Sequence, residues 1–366
     1  LVIGVLLFVA YNSNLEEKTN GTAAQTLQPS KACGTQTIDP REQGEPGRYA
    51  YPAETIDPPW LQDRREAQLR TIGDFTVFCA FQFVDRIEES GITFRHRVVD
   101  DAAKTYKAVH YDHGNGIAVA DVDGDDRYDI YFVNQIGANQ LWRNLGGGKF
   151  EDITEAAGVA VDDRVSVGAS FADVDNDGDP DLYVSVVRTG NLLFENDGTG
   201  KFKDVTQQSG LGYKGHSSGA VFFDYDRDGL LDLFLTNVGQ YTTEQLRHMT
   251  IEPTGNLYES GEYSFYDGFS DAFTGHLIPE RAEGSILFKN AGANRFVDVT
   301  EGAGLLDAGW SGDASPIDVN QDGWPDLYVL DMEGNDEYYE NFNGKYFVKK
   351  DSVFPKTPWG SMGIKA

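Results

Sequence analysis

The stretch Asp173–Val184, DVDNDGDPDLYV, decides how this chain folds. It sets Asp173, Asp175, Asp177, Asp179 and Asp181 within nine positions and then turns apolar. Carboxylates this dense repel one another unless something positive sits among them. The stretch is not alone. DVDGDDRYDIYFV begins at Asp121, DYDRDGLLDLFLT at Asp224 and DVNQDGWPDLYVL at Asp318. The intervals are 52, 51 and 94 residues, the last being one period plus an insertion. A period of this length marks a repeat architecture.

A second element recurs between the acidic loops: NQLWRNLGGGKFEDITEAAGV from Asn139, NLLFENDGTGKFKDVTQQSGL from Asn191 and SILFKNAGANRFVDVTEGAGL from Ser285. Each reads as a strand, a Gly/Asn turn, a second strand ending in an acid and Thr, and a Gly turn. A degraded copy, DEYYENFNGKYFVKKDSVF, begins at Asp336. Gly116, Gly168 and Gly219 each stand five residues before the first Asp of a loop, opening an alternating strand. About four short strands per period make one propeller blade, and a β-solenoid is the alternative. FVDRIEESGI, from Phe83, matches FVDVTEGAGL, from Phe296, so a lone last strand precedes the first full repeat and offers a way to close a ring. The expectation is an all-β β-propeller of four-stranded blades over 75–366, with an insertion at 240–284.

Within each loop, side-chain oxygens fall at positions 1, 3, 5 and 9: Asp121, Asp123, Asp125, Asp129; Asp173, Asp175, Asp177, Asp181; Asp224, Asp226, Asp228, Asp232; and Asp318, Asn320, Asp322, Asp326. Position 6 is Gly178, Gly229 or Gly323 in three loops, which permits the sharp turn that brings side chains together, and Asp126 in the first. Hard oxygen ligands in this number and spread suit Ca2+ better than Mg2+. An EF-hand is excluded, because position 12 is Phe132, Val184, Leu235 or Val329 and not a Glu. The first loop is expected to bind more weakly, since Asp126 replaces the glycine. Asp179 is expected outside the cradle.

These loops, the Gly-x-x-x-x-Asp strands and the N-x-G-x-G-x-F-x-D-(I/V)-T hairpins resemble FG-GAP or VCBS repeats, the calcium-bearing blades of integrin α-chain propellers. The nearest likeness is to bacterial relatives of cartilage acidic proteins. The resemblance covers about residue 83 to the end and carries about four to five blades' worth of repeats. It implies a seven-bladed propeller, structural calcium, an adhesive or scaffolding role and no catalysis.

The charge of −29 and pI near 4.4 argue against nucleic acid as a partner. The chain opens LVIGVLLFVAY. Residues 1–13 are read as part of a retained transmembrane helix, with a cleaved signal as the other reading. The flank Asn12–Glu17 lacks Lys and Arg, which places the body on the periplasmic or extracellular side. Residues 14–74 read as an extended, Pro-rich linker holding a short helix near 60–71. Cys33 and Cys79 are either two thiols or one disulfide.

Catalytic readings are weaker. Paired carboxylates could serve glycoside hydrolysis, but a catalytic pair should occur once, and these recur. No third ligand accompanies His110 and His113, and Ser217 and Ser218 beside His216 do not form a nucleophile elbow. The favoured expectation is a non-catalytic, membrane-anchored, calcium-stabilised binding or scaffold subunit. Its partners would be other protein subunits, conceivably of an energy-transducing membrane complex. A secreted calcium-dependent adhesin or lectin is the alternative.

Overall fold

The structure is a computed structural model that describes residues 66–67, 70, 84–99, 116–251, 257–269, 278–306, 309–332, 334–354, 357 and 363. The chain divides into two compact units, Leu1–Asp85 and Arg86–Ala366. In the first, Glu66, Ala67 and Arg70 are helical, within the segment read as a short helix. The apolar run at 1–13, the rest of the linker and both cysteines lie outside the described residues. No described helix is long and apolar enough to cross a membrane.

The second unit is all-β, with four sequential antiparallel sheets. The first holds β1 (Ile117–Ala120), β2 (Asp129–Phe132), β3 (Gln140–Gly146) and β4 (Lys149–Asp152). The next holds β5 (Ser166–Ala172), β6 (Asp181–Val186), β7 (Leu192–Asn196) and β8 (Phe202–Asp204). The third begins with β9 (Ser217–Phe223) and β10 (Asp232–Asn237). It is then interrupted by a separate hairpin, β11 (Thr242–Ile251) and β12 (Leu257–Gly268), and finishes with β13 (Ile286–Asn290) and β14 (Phe296–Asp298). The last holds β15 (Ser311–Ile317), β16 (Asp326–Asp331), β17 (Glu337–Asn341) and β18 (Phe347–Lys349). Each repeat folds into its own antiparallel meander, consistent with propeller-like blades. A solenoid would instead stack parallel strands between repeats. Of the strand expected from Phe83, that first residue lies outside the described residues, as does most of the chain beyond 354, while Val84 and Asp85 are in no strand. What is seen is its continuation, the short helix α1 (Ile87–Ser90), capped by Gly91 at φ 83°.

The second strand of every sheet is apolar without alternation because both its faces are covered. Leu182 and Val184 pack with Tyr131 and Leu141 of the first sheet, while Tyr183 points the other way, to Leu233, Leu235 and Phe288 of the third. Phe234 and Leu287 in turn face Leu327, Val329 and Tyr339. Period-2 geometry thus sends neighbouring residues into two different inter-sheet cores. Burying each such side chain contributes about 1.5–3 kcal/mol.

The D-(I/V)-T run of each hairpin turns the chain from the fourth strand to the next sheet. Asp152, Asp204 and Asp298 each accept the backbone N–H of the Thr two residues on, at 2.9–3.0 Å. The hydroxyl oxygens of those threonines, Thr154, Thr206 and Thr300, accept the N–H of Leu141, Leu193 and Leu287 at 2.9–3.0 Å. A one-turn helix follows each: α2 (Thr154–Ala157), α3 (Thr206–Ser209) and α4 (Thr300–Ala303). Each ends on a left-handed glycine, which is the common way for a helix to stop.

The glycines that open the first strands permit close approach between sheets. A Cβ on Gly116 would meet Gly168 Cα at 2.7 Å, and one on Gly168 would meet Ser185 Oγ and the Ser218 carbonyl at 2.8 Å. Gly168→Ala is therefore expected to destabilise the protein by roughly 1–3 kcal/mol, as overpacking does. Gly302→Ala, in α4 with open space around it, should stabilise by about 0.5–1 kcal/mol. Urea midpoints of the two variants check this, and a shared sign would contradict the packing argument.

Candidate metal centres

Each acidic loop joins the first and second strands of its sheet, and the four loops are held by the same bonds. The position-1 carboxylates of Asp121, Asp173, Asp224 and Asp318 accept two backbone N–H groups, those of positions 5 and 6, at 2.7–3.2 Å. The position-5 carboxylates of Asp125, Asp177, Asp228 and Asp322 accept the N–H of position 7 at 2.8–3.0 Å. Positions 4 and 6 are both left-handed. Gly178, Gly229 and Gly323 supply position 6 in three loops, while Asn176, Arg227 and Gln321 bear the strain at position 4. The first loop inverts the arrangement, with Gly124 at position 4 and Asp126 at φ 64° at position 6. Its turn is thus kept, at the cost of placing a side chain where glycine is favoured.

Position 9 is the deepest. Asp129, Asp181, Asp232 and Asp326 are buried, yet each carboxylate is bonded on both sides. One oxygen accepts the N–H of position 2 (Val122, Val174, Tyr225, Val319) at 3.0–3.2 Å. The other accepts the N–H of an asparagine on the third strand (Asn144, Asn196, Asn290, Asn341) at 2.7–2.8 Å. Burial pushes three of them up, Asp129 to about 6 and Asp181 and Asp232 to about 7, against the pull of those two N–H groups.

The same asparagines reach across to the preceding sheet. Asn196 Nδ2 donates to the Val122 carbonyl at 3.0 Å, Asn290 Nδ2 to Val174 at 2.7 Å and Asn341 Nδ2 to Tyr225 at 2.9 Å. In the last three sheets the position-9 acid therefore fixes an asparagine that ties its sheet to the loop before it, whereas Asn144 Nδ2 donates to the Tyr128 carbonyl of its own repeat. The sequence reading did not assign these asparagines a role. Their signal was present as the N of N-x-G, whose side-chain oxygen accepts the glycine N–H two residues on at Asn144, Asn196 and Asn290.

Positions 1, 3 and 9 converge in three loops. Ligand oxygens of Asp121, Asp123 and Asp129 lie within 4.8 Å of one another, as do those of Asp173, Asp175 and Asp181, and of Asp224, Asp226 and Asp232. The position-5 acids fall outside these groups. In the fourth loop Asn320 donates to Asp322 at 2.9 Å, bonding positions 3 and 5 directly.

The surroundings of the loops differ. Burial raises Asp175 above the usual carboxylate range, and the charges of Asp177 and Glu195 add to it. Asp123 is likewise raised by burial and by Asp125, with Arg143 at 3.8 Å opposing. In the third loop burial pushes Asp228 up, but the Lys289 ammonium carries it below its ordinary value. Lys289 Nζ bonds Asp226 and also Asp228, the latter at 2.9 Å. The second loop, a set of hard oxygens with no cation paired to it among the described residues, fits a calcium ion. The third fits it poorly.

The other candidates are structural. His216 Nδ1 lies 2.8 Å from Glu283 Oε1 and Nε2 lies 2.7 Å from Thr242 Oγ1, beneath Tyr241, so it anchors the base of the β11–β12 hairpin. His96 is bonded to the Val133 carbonyl and His248 to Ser264. His110, His113 and His276 lie outside the described residues. Asp179 is outside the acid cluster as expected. It is half-buried against the Gly198 turn.

Removing the cross-sheet tie should be costly. Asn290→Ala removes the Nδ2 donor to the Val174 and Leu231 carbonyls and the Oδ1 acceptor of the Gly292 N–H, while the backbone bond to Asp232 stays. The expected loss is about 2–4 kcal/mol, read from the denaturant midpoint. A loss below about 0.5 kcal/mol would contradict the role given to this side chain.

The FG-GAP-like repeat family matches residues 121–184 and 173–235. The chain is similar to cartilage acidic protein 1 of Xenopus tropicalis, at 29% identity over 131 residues, 35% of this chain and 20% of that protein. The likeness to the Mus musculus protein is 29% over 150 residues, 38% of this chain and 23% of the other. The match thus spans about a fifth of the length of these relatives. A solved structure of an Agrocybe aegerita lectin, described as recognising non-reducing terminal N-acetylglucosamine, aligns over 63% of this chain and 64% of its own. Its identity is 16% and its TM-score 0.28, too low to carry an argument. Sequence, loop geometry and family match agree on one point: residues 121–235 are similar to FG-GAP-like repeats.

Proposed function

We propose that this chain is a non-catalytic, calcium-stabilised, propeller-like binding or scaffold subunit. It would be tethered by its N-terminal apolar run to the outer side of a membrane, where it joins other protein subunits. One observation carries the non-catalytic part. The acidic constellation occurs four times, and the same backbone bonds hold positions 1, 5 and 9 each time. A device repeated at every blade serves the blade. A catalytic pair needs two carboxylates in different environments at one place.

Calcium is the ion the donor set favours, since carboxylates at this spread suit a large, flexible coordination sphere. A partner would be met at the one element that breaks the repeat, the β11–β12 hairpin. Its base is fixed by His216, Glu283 and Thr242, and by Arg188, which lies 5.0 Å over the Tyr266 ring. Such a firmly rooted, non-repeated element is the usual place for recognition on a rigid scaffold.

An ion that binds only the folded state raises the melting temperature. Excess EDTA should therefore lower the melting temperature of the full chain by several degrees, and added calcium should restore it. An unchanged transition would contradict the calcium reading. The tether is tested by extraction. The full-length protein should stay with membranes through a high-salt wash and leave only with detergent, whereas release by salt alone would favour a secreted adhesin.

A further inference from the structure

The residue just before the cross-sheet asparagine differs from sheet to sheet: Arg143, Glu195, Lys289 and Glu340. Arg143, Glu195 and Lys289 stand beside the acidic loops of their own sheets, so their charge bears directly on what those loops can hold. In the second sheet Glu195 adds a carboxylate. Asn294, from the β13–β14 turn of the next sheet, bridges it to the loop, with Nδ2 2.9 Å from Glu195 Oε2 and 3.3 Å from Asp175 Oδ2. In the third sheet the equivalent residue is Lys289. Its ammonium bonds Asp226 and Asp228, the position-3 and position-5 acids, and so engages two of the four side chains a cation would need.

A second difference accompanies the first. Position 2 is Val122, Val174 and Val319 in the other loops but Tyr225 in the third. The Lys289 ammonium lies 5.7 Å from the centre of the Tyr225 ring, within range of a cation–π contact. Lys and Tyr thus hold each other in the loop that has both. A calcium ion drawing on Asp226 and Asp228 would have to displace this ammonium or sit beside it, like charge against like charge.

We propose that the third loop is closed by the Lys289 ammonium in place of calcium, so that this blade is held without metal while the second loop remains a calcium site. The proposal rests on the calcium reading only for the second loop. A fixed monovalent cation makes the third blade indifferent to calcium supply, so metal loss would loosen the blades unequally.

Isothermal titration of the full-length chain with calcium alone tests this, using wild type, Asp226→Asn, Lys289→Met and Asp175→Asn, each checked for native near-UV circular dichroism. Asp226→Asn should leave the number of bound calcium ions unchanged, Lys289→Met should add one, and Asp175→Asn should remove one. Loss of one ion in Asp226→Asn, or no gain in Lys289→Met, would overturn the proposal. If Lys289→Met does not fold, Asp226→Asn decides alone. If wild type binds no calcium and Asp175→Asn changes nothing, the calcium reading fails. A gain of one ion in Lys289→Met would then still uphold the role of Lys289.

Discussion

A buried carboxylate is expensive, and these sheets are built around one each. Asp129, Asp181, Asp232 and Asp326 are taken out of water at the start of the second strand. Desolvating an ion costs several kcal/mol unless polar groups replace the water. Two backbone N–H groups do so at every copy, one from the loop and one from the third strand. The acid therefore sets the loop, the second strand and the third strand in one arrangement. The asparagine it fixes then carries that arrangement to the preceding sheet through the carbonyl of position 2.

The charge of the loop follows from this constraint. The carboxyls of positions 1, 3 and 9 lie within 4.8 Å of one another in three loops, and the group calls for a positive partner. The repeats meet that need differently. In the second loop more carboxylate is added through Glu195, which favours a divalent ion. In the third, Lys289 bonds the cluster directly. The apolar cores between sheets are common to all repeats, and the countercharge is where they diverge.

Much of this was legible in the residues. The period, the acid spacing and the position-6 glycines predicted the four loops, and the four sheets lie where the repeats placed them. The interruption at 240–284 is the separate β11–β12 hairpin. Two things were not legible. Position 9 was read as one ligand among four, and it doubles as a backbone staple between the loop and the third strand. Spacing alone does not show which oxygens are already used by N–H groups. The charge at Arg143, Glu195, Lys289 and Glu340 was visible all along. Only the pairing of the third strand with the second, Leu233 opposite Phe288, brings Lys289 to Asp226, 63 residues earlier in the chain.

Amide hydrogen exchange at Val174 and Asn196, the two donors to Asp181, tests the central claim most directly. If the buried acid is the joint on which the sheets depend, both amides open only with the whole unit. They should then be among the slowest in the protein and report the same opening free energy, with calcium or with EDTA. Fast exchange at either amide while the Leu182 and Val184 amides stay protected would show that the joint opens locally, and would contradict the account.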